Sequence, residues 1–357
     1  MEARDHDHVL AFCREMFPKS PTKHDSTHWQ WQYGKSDGLT LLAFNDGRIV
    51  GQRPLVPFVL RVHGLDVKAV WAPDFMVSPE CRGKGVGSRL IREALSLPFV
   101  YVAIQSSHAP QHIYAKENAL RLRDVEKFVY PHSAASFLER RVQSPAIRSI
   151  LAPWCRTALD LRHARRTRPR RHDARTRKDR MGPGFNTLWT EQDLSGLIVA
   201  ERSADFLTRR FEQAPPQARY STTIAEESGR LLGYAVCRET QPGRFLISDI
   251  WARDLDPRVL RTLLNACLRS QHTNAEAQVT TCYARSMRLA SALVSAGFLR
   301  RGGLTFTVHP ANSGVDREEL ARTDDWYVTA LDSDVDDAFR TLPAQERPGS
   351  NTKAATL

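Results

Sequence analysis

Apolar and polar positions follow one order twice along this chain. Two β-prone runs at 40–44 and 54–62 flank Asp46-Gly47-Arg48-Ile49-Val50-Gly51, and two more at 222–225 and 234–237 flank Ser228-Gly229-Arg230-Leu231-Leu232-Gly233. A polar, glycine-bearing turn between such runs predicts a hairpin in each case. Asp74-Phe75-Met76 then ends an apolar run, as Asp249-Ile250-Trp251 ends another, and a helical run follows each, over 90–95 and 259–268. Beyond the first helix, residues 99–104 predict a buried strand and 111–119 a helix carrying Tyr114. Leu293-Val294-Ser295-Ala296-Gly297-Phe298 closes the second helical segment. Residues 326–331 predict a last strand. The recurrence predicts two copies of one unit mixing strands and helices.

The copies differ at one place. After the first apolar run comes Arg82-Gly83-Lys84-Gly85-Val86-Gly87-Ser88, opening a helix. Glycines at alternate positions let the main chain turn with its N–H groups inward. The helix start adds unpaired N–H groups and a positive dipole end, a combination that receives a diphosphate. The spacing excludes two familiar versions. Gly34-Lys35-Ser36 lacks the glycine a Walker loop needs, because position 29 is tryptophan, and Gly83 and Gly85 are followed by Ser88 rather than a third glycine in dinucleotide register. In the second copy, Ala252-Arg253-Asp254-Leu255-Asp256-Pro257 has no glycine and two acids, which would repel a diphosphate.

The pattern Arg-x-x-Gly-x-Gly, with Val77 and Pro79 upstream, resembles motif A of the GNAT acyltransferase superfamily. The resemblance implies an α/β (mixed α+β) fold of two tandem GNAT-like domains, each a twisted mixed sheet flanked by helices. It implies acetyl-CoA as acyl donor, held by Val77, Arg82, Gly83, Lys84, Gly85, Val86, Gly87 and Ser88. The expected organisation is an acyl-CoA-binding catalytic domain over 1–140, an Arg/Pro-rich linker over 141–185, a degenerate copy without the CoA motif over 186–335, and a disordered tail over 336–357. His28-x-x-Trp31, Trp326-Tyr327-Val328-Thr329 and Asp332-Ser333-Asp334 further resemble bacterial tandem members associated with surface-polysaccharide synthesis.

Acyl transfer from a thioester to an amine sets three demands. An amine with pKa about 10.4 is neutral in only about 0.04% of molecules at pH 7, a penalty of roughly 4.6 kcal/mol. A base must offset this, a main-chain donor must meet the developing oxyanion, and the departing thiolate needs a proton. The resemblance implies an oxyanion donor at Met76 or Val77, before Pro79, which cannot continue a ladder. Tyr114 is the candidate acid, although its spacing with Ala119 and Leu122 also suits a core aromatic. Asp74 is the candidate base or electrostatic partner of the amine, as an unpaired acid in an apolar run, or else a cap for a neighbouring N–H. His108 is a second candidate base. Trp29 and Trp31 would line the acceptor cleft or pack their helix; Phe206, Arg209 and Arg210, in the matching place of the second copy, favour packing. The expected activity is N-acylation of a small amine, such as an amino sugar. The alternative is a GNAT-fold protein that keeps CoA as a structural or sensory ligand, suggested by Asn118-Ala119 standing where the family has Gly-Phe.

Composition adjusts this picture. The net charge of +11 is concentrated: residues 156–180 hold eleven basic and three acidic side chains, an excess of eight. No aromatic residue interleaves the arginines from 162 to 180, which argues against base stacking on nucleic acid. Six scattered cysteines form no Cys-x-x-Cys pair, so neither a zinc site nor a disulfide framework is expected, and no metal is assigned. Asp332-Ser333-Asp334-Val335-Asp336-Asp337 lacks the glycine and final glutamate of a calcium loop. No apolar run approaches the roughly 18 residues of a membrane span. The charged start of the chain lacks a signal-peptide pattern, so the expected location is cytoplasmic. Nothing in the pattern specifies an oligomeric state.

Overall fold

The computed structural model describes residues 3–18, 21–34, 38–133, 142, 144–167, 175–274 and 276–333. The expected tail over 336–357 lies outside them. One sheet runs through the whole described molecule. The first hairpin is β1 (Leu39–Asn45) and β2 (Arg48–Val62); β3 (Leu65–Trp71), β4 (Met76–Val77), β5 (Val100–Ile104) and β6 (Leu120–Pro131) follow. After β7 (Arg175–Lys178) and β8 (Ile198–Ala200), the second hairpin is β9 (Tyr220–Glu227) and β10 (Arg230–Gln241); β11 (Arg244–Ala252), β12 (Val279–Ala284), β13 (Leu299–His309) and β14 (Trp326–Tyr327) complete the set. The strand order is β14-β8-β2-β3-β5-β13-β6-β12-β11-β10-β9-β7, with β1 and β4 also paired to β2.

Both hairpins turn alike. Asp46 and Gly47 have φ of 48° and 77°, and Ser228 and Gly229 have 50° and 77°. Two successive left-handed residues form the turn that matches strand twist, and the second position takes glycine for that reason. The register then aligns the copies: Gly51 stands opposite Val77 and Gly233 opposite Ala252. Asp74 and Asp249 therefore occupy corresponding places.

The closing strands are exchanged. β5 of the first half pairs with β13 of the second, β12 of the second pairs with β6 of the first, and β6 and β13 pair with each other. All three pairings are antiparallel, so the order is symmetric about the β6/β13 seam. The major core spans both halves, including Val100, Val102 and Phe128 as well as Ile247, Cys282 and Phe306.

Helices α1 (Ala3–Met16) and α2 (Ser26–Tyr33) pack by Val9, Phe12 and Trp29 against Val56 and Met76. Helices α3 (Val86–Leu95) and α4 (His108–Lys116) cover a smaller core that includes Ile91, Tyr101 and Tyr114. The Arg/Pro-rich segment forms a helix over Pro145–Thr167, with Pro153 inside it, and then supplies β7, which pairs with β9. Residues 326–331 are strand only at β14; a capping box between Thr329 and Asp332 then turns the chain into a 3-10 segment. That box adjoins a buried ion network. Arg202 donates to Asp332 (2.7 Å) and Asp249 (3.4 Å), and Asp249 also accepts from Tyr234 and Thr329. Asp249 thus joins β11 to the β14 end, and its counterpart Asp74 works in a different setting. No helix among the described residues is long and apolar enough to cross a membrane.

Candidate active site

The glycine loop over 82–88 folds as its glycines demand. Gly83 and Gly85 have φ of 75° and 85°, in the left-handed region where only glycine is unstrained, and a Cβ at either would project into open space. Gly87 is tight for a different reason: its Cβ would lie 3.0 Å from the tip of the Phe75 ring, which would have to shift. Gly85 is the N-cap of α3, whose first described ladder bond is Arg89 N–H to Gly85 C=O at 3.0 Å. The N–H groups of Val86, Gly87 and Ser88 precede that bond and lie outside the helical ladder. Gly83, Gly85, Gly87 and Ser88 border a cleft of about 670 Å3 whose other walls are Phe75, Val77, Arg82 and the first turns of α4 at Ser107, Pro110 and Ile113. These are the features a diphosphate needs: free donors, a dipole end, and no side chain in the way.

The cleft continues into a wedge in the sheet. β3 pairs in parallel with β5 as far as Trp71–Val102, and Ala72 N–H still donates to Val102 C=O. Asp74 then takes φ of 46°, and β4 pairs with β2. Among the described residues no ladder joins β4 to β5. Ser78 N–H donates to Val50 C=O at 2.9 Å. Antiparallel bonding alternates along a strand, so Met76 bonds on the β2 side and the Val77 N–H faces the wedge. Met76 itself is buried against α1 and α2. Arg82 Nε donates to Val77 C=O at 3.1 Å, tying the loop to the strand.

Asp74 is not the unpaired acid that its apolar neighbours suggest. Its Oδ2 accepts from Lys23 Nζ at 2.7 Å and from the Tyr33 hydroxyl, so helix α2 and the turn before it reach over to hold it. Both bonds fall on one oxygen; Oδ1 has no partner among the described residues. A bond to a neighbouring main-chain N–H is not among its contacts either.

Tyr114 is buried, and its hydroxyl accepts from Arg53 Nη2 at 2.7 Å and lies 2.8 Å from the Tyr101 hydroxyl. Arg53 also donates to Tyr101, and its guanidinium lies 5.4 Å from the centre of the Phe75 ring. Burial pushes the Tyr101 hydroxyl well above the usual phenol range, against the pull of Arg53, so it stays protonated. Sequence reasoning missed Arg53 and Tyr101. The polar pair Gln52-Arg53 inside the otherwise apolar run 49–60 was the signal that could have found the first. The replacement of Gly-Phe has a simple resolution. Asn118 adopts φ of 57°, Gly297 adopts 101°, and Ala119 N–H donates to Tyr114 C=O just as Phe298 N–H donates to Leu293 C=O. Both helices end in the same left-handed cap, with asparagine serving where glycine usually does.

Trp29 packs α2 on α1, edge-on to His6. His108 is exposed at the start of α4. Trp31 lines a separate, small pocket of about 70 Å3 with Trp71, Pro73, Phe206, Arg209 and Arg210. The Phe206 to Arg210 stretch therefore does not merely pack its own half; it reaches across, with Arg210 4.5 Å over the Trp31 ring. Residues 71–77 form the partition between this pocket and the cleft, with Pro73 on one side and Phe75 and Val77 on the other. In the second half, the corresponding helix start at Pro257 is capped by its own Asp256 carboxylate, which accepts from Arg258 N–H at 2.7 Å.

Residues 1–97 match the family model for the acetyltransferase (GNAT) domain. Among solved structures, a probable N-acyltransferase of Enterococcus faecalis is 12% identical, covers 88% of this chain and 71% of its own, and superposes with a TM-score of 0.61. A GCN5-related N-acetyltransferase from Kribbella flavida is 14% identical over 88% of this chain and 71% of its own, with a TM-score of 0.57. Saccharomyces cerevisiae N-myristoyltransferase with bound myristoyl-CoA is 13% identical over 87% of this chain and 80% of its own, with a TM-score of 0.53. These likenesses show a shared fold. No curated protein matches the chain.

Proposed function

We propose that this GNAT-type acyltransferase uses the first-half cleft to hold an acyl-CoA, preferably acetyl-CoA, and acylates a small amine bound in the Trp31 pocket. The observation that carries the reading is the open cradle of main-chain N–H groups at 82–88, which leads into the wedge between β4 and β5. The diphosphate would lie on Val86, Gly87 and Ser88 N–H, beside Gly83 and Gly85, with Arg82 and Lys84 adding positive charge. The Val77 N–H would donate to the thioester oxygen as negative charge develops there.

The amine would approach from the Trp31 side of the 71–77 partition, and Asp74, next in the chain to the pocket-lining Pro73, would receive its proton on Oδ1. The new C–N bond forms as the C–S bond breaks. Tyr114 would return a proton to the sulfur. Arg53 donates to its oxygen, which leaves the Tyr114 hydrogen to act as donor. Aromatic walls suit a ring-bearing amine such as an amino sugar, and the two arginines would favour one that also carries an anionic group such as a phosphate. The second half has a self-capped helix start and two acids in place of glycines, so we read it as a non-binding copy that completes the acceptor pocket. The two halves together constitute the tandem arrangement.

Gly85→Glu is the test. It forces a side chain into the left-handed region and sets a carboxylate among the phosphate donors. Acetyl-CoA affinity measured by calorimetry should fall on the order of 100-fold or more, about 2.7 kcal/mol. Unchanged affinity in a folded variant overturns the proposal. A second reading, CoA as a bound ligand without turnover, is favoured by one observation: the Tyr114 hydroxyl is buried against Arg53 and Tyr101 and does not border the cleft. Acyl transfer to a panel of amines separates the two.

A further inference from the structure

A cluster of histidines lies away from this site. His132 follows β6, His163 sits on the Pro145–Thr167 helix, and His272 ends the Pro257–His272 helix. One ring nitrogen from each lies within 4.8 Å of the other two. The three come from segments 31 and 109 residues apart, so no spacing in the sequence announces them. The expectation of no metal rested on cysteine spacing and did not reach them.

The hydrogen bonds fix which nitrogens are available. Thr280 Oγ1 donates to Gln271 Oε1, so it accepts from His132 Nε2, 2.7 Å away. His132 therefore carries its proton on Nε2. Its Nδ1 is left as a lone pair, buried and without a partner among the described residues. His272 Nε2 lies 3.4 Å from the Asp160 carboxylate, which places its proton there and frees Nδ1. His163 Nδ1 bonds the Tyr130 hydroxyl at 3.0 Å, leaving Nε2. A ligating imidazole whose other nitrogen is held by a carboxylate, hydroxyl or carbonyl is the usual outer arrangement of a metal site.

We propose that His132, His163 and His272 bind one divalent transition-metal ion, zinc by preference, that clamps the Pro145–Thr167 helix to the sheet and to the end of the Pro257–His272 helix. Three imidazoles suit zinc, with the fourth position left for water on the exposed side. The His163 and His272 rings are stacked, with centroids 3.9 Å apart. Tetrahedral nitrogens about 2.05 Å from zinc sit roughly 3.3 Å apart, so the rings must turn out of the stack to converge. His272, whose side chain is 30% exposed, has the room to do so. Arg269 already fastens the same helix end by donating to Thr167 C=O. The ion would add a second fastening where the chain passes from the first half to the second.

The test uses the full chain, stripped of metal with EDTA and titrated with zinc chloride. One ion per chain is expected, with a rise in melting temperature and slower amide exchange over Pro145–Thr167. Cobalt(II) at the site should show the intense visible bands of tetrahedral coordination. His272→Ala removes a partly exposed ligand and should cost on the order of 100-fold in zinc affinity; Asp160→Asn should cost roughly 10-fold. Melting of His272→Ala in EDTA at the parent temperature shows that the fold is intact. If His132→Ala fails to fold, the His272 variant carries the test alone. Absence of stoichiometric zinc uptake, or uptake by folded His272→Ala as tight as the parent's, overturns the proposal.

Discussion

Tyr114 and Tyr101 share one guanidinium, and only one of them is proposed to touch chemistry. Arg53 donates to both hydroxyls, and the two oxygens lie 2.8 Å apart. If Tyr101 donates to Tyr114, the Tyr114 proton is free for the departing sulfur. Tyr114→Phe should then lower kcat by about 10²–10⁴-fold with little change in the KM for acyl-CoA. It should also destabilise the fold by about 1–3 kcal/mol, because Arg53 loses a buried partner. Tyr101→Phe is the control, since it costs similar stability but removes no acid. Steady-state rates and urea melts on the pair decide the matter; equal loss of kcat in both variants sinks the catalytic role of Tyr114. Asp74 offers a parallel case. Its Oδ2 is committed to Lys23 and Tyr33, so only Oδ1 is open to an amine. Asp74→Asn keeps the shape and abolishes the charge. It should lower kcat/KM for the amine by at least about tenfold in a pH-controlled transfer assay while leaving acyl-CoA affinity unchanged.

Among the elements, the end of α4 shows how one residue stands in for another. Asn118 holds the left-handed cap position, and Asn118→Gly should be neutral or slightly stabilising, because glycine adopts that φ without strain. Asn118→Ala should cost about 1–2 kcal/mol, read from denaturant midpoints at constant slope. Equal stability of the two variants would mean that the cap carries no strain. Much at this scale was legible in the sequence. Both hairpins, the glycine loop and the α3 start follow from local rules: turn residues, periodicity, and glycine where φ is positive. The rest depends on partners distant in sequence. That Lys23 and Tyr33 would reach Asp74, that Arg53 would stand behind Phe75, and that Phe206 and Arg209 would border Trp31 are consequences of packing. The 156–180 arginine run suggested an open connector, yet the chain forms a helix over Pro145–Thr167. Thr167 is held by Arg269, and His163 meets the other two histidines, contacts that composition does not encode.

At the scale of the whole molecule, the exchanged strands decide what can fold alone. Sequence repetition suggested two consecutive units divided near residue 140. The ladder instead places β13 between β5 and β6, and β6 between β13 and β12. Cutting the chain after residue 140 would remove the strand that covers β5. It would also expose both edges of β6, whose Val125 and Phe128 are buried in the shared core. Unpaired edges bordered by apolar side chains pair with other chains. A fragment of residues 1–140 should therefore aggregate, or should dimerise by β6 exchange. The same fragment co-expressed with residues 141–357 should recover a soluble, acyl-CoA-binding complex. Sedimentation and calorimetry on the fragment and the pair are the measurements. A monomeric, soluble 1–140 fragment that binds acetyl-CoA like the full chain would show that the strand exchange is dispensable. Otherwise the cradle at 82–88 depends on a strand encoded more than 200 residues later, because β13 braces β5, and β5 forms the far wall of the wedge.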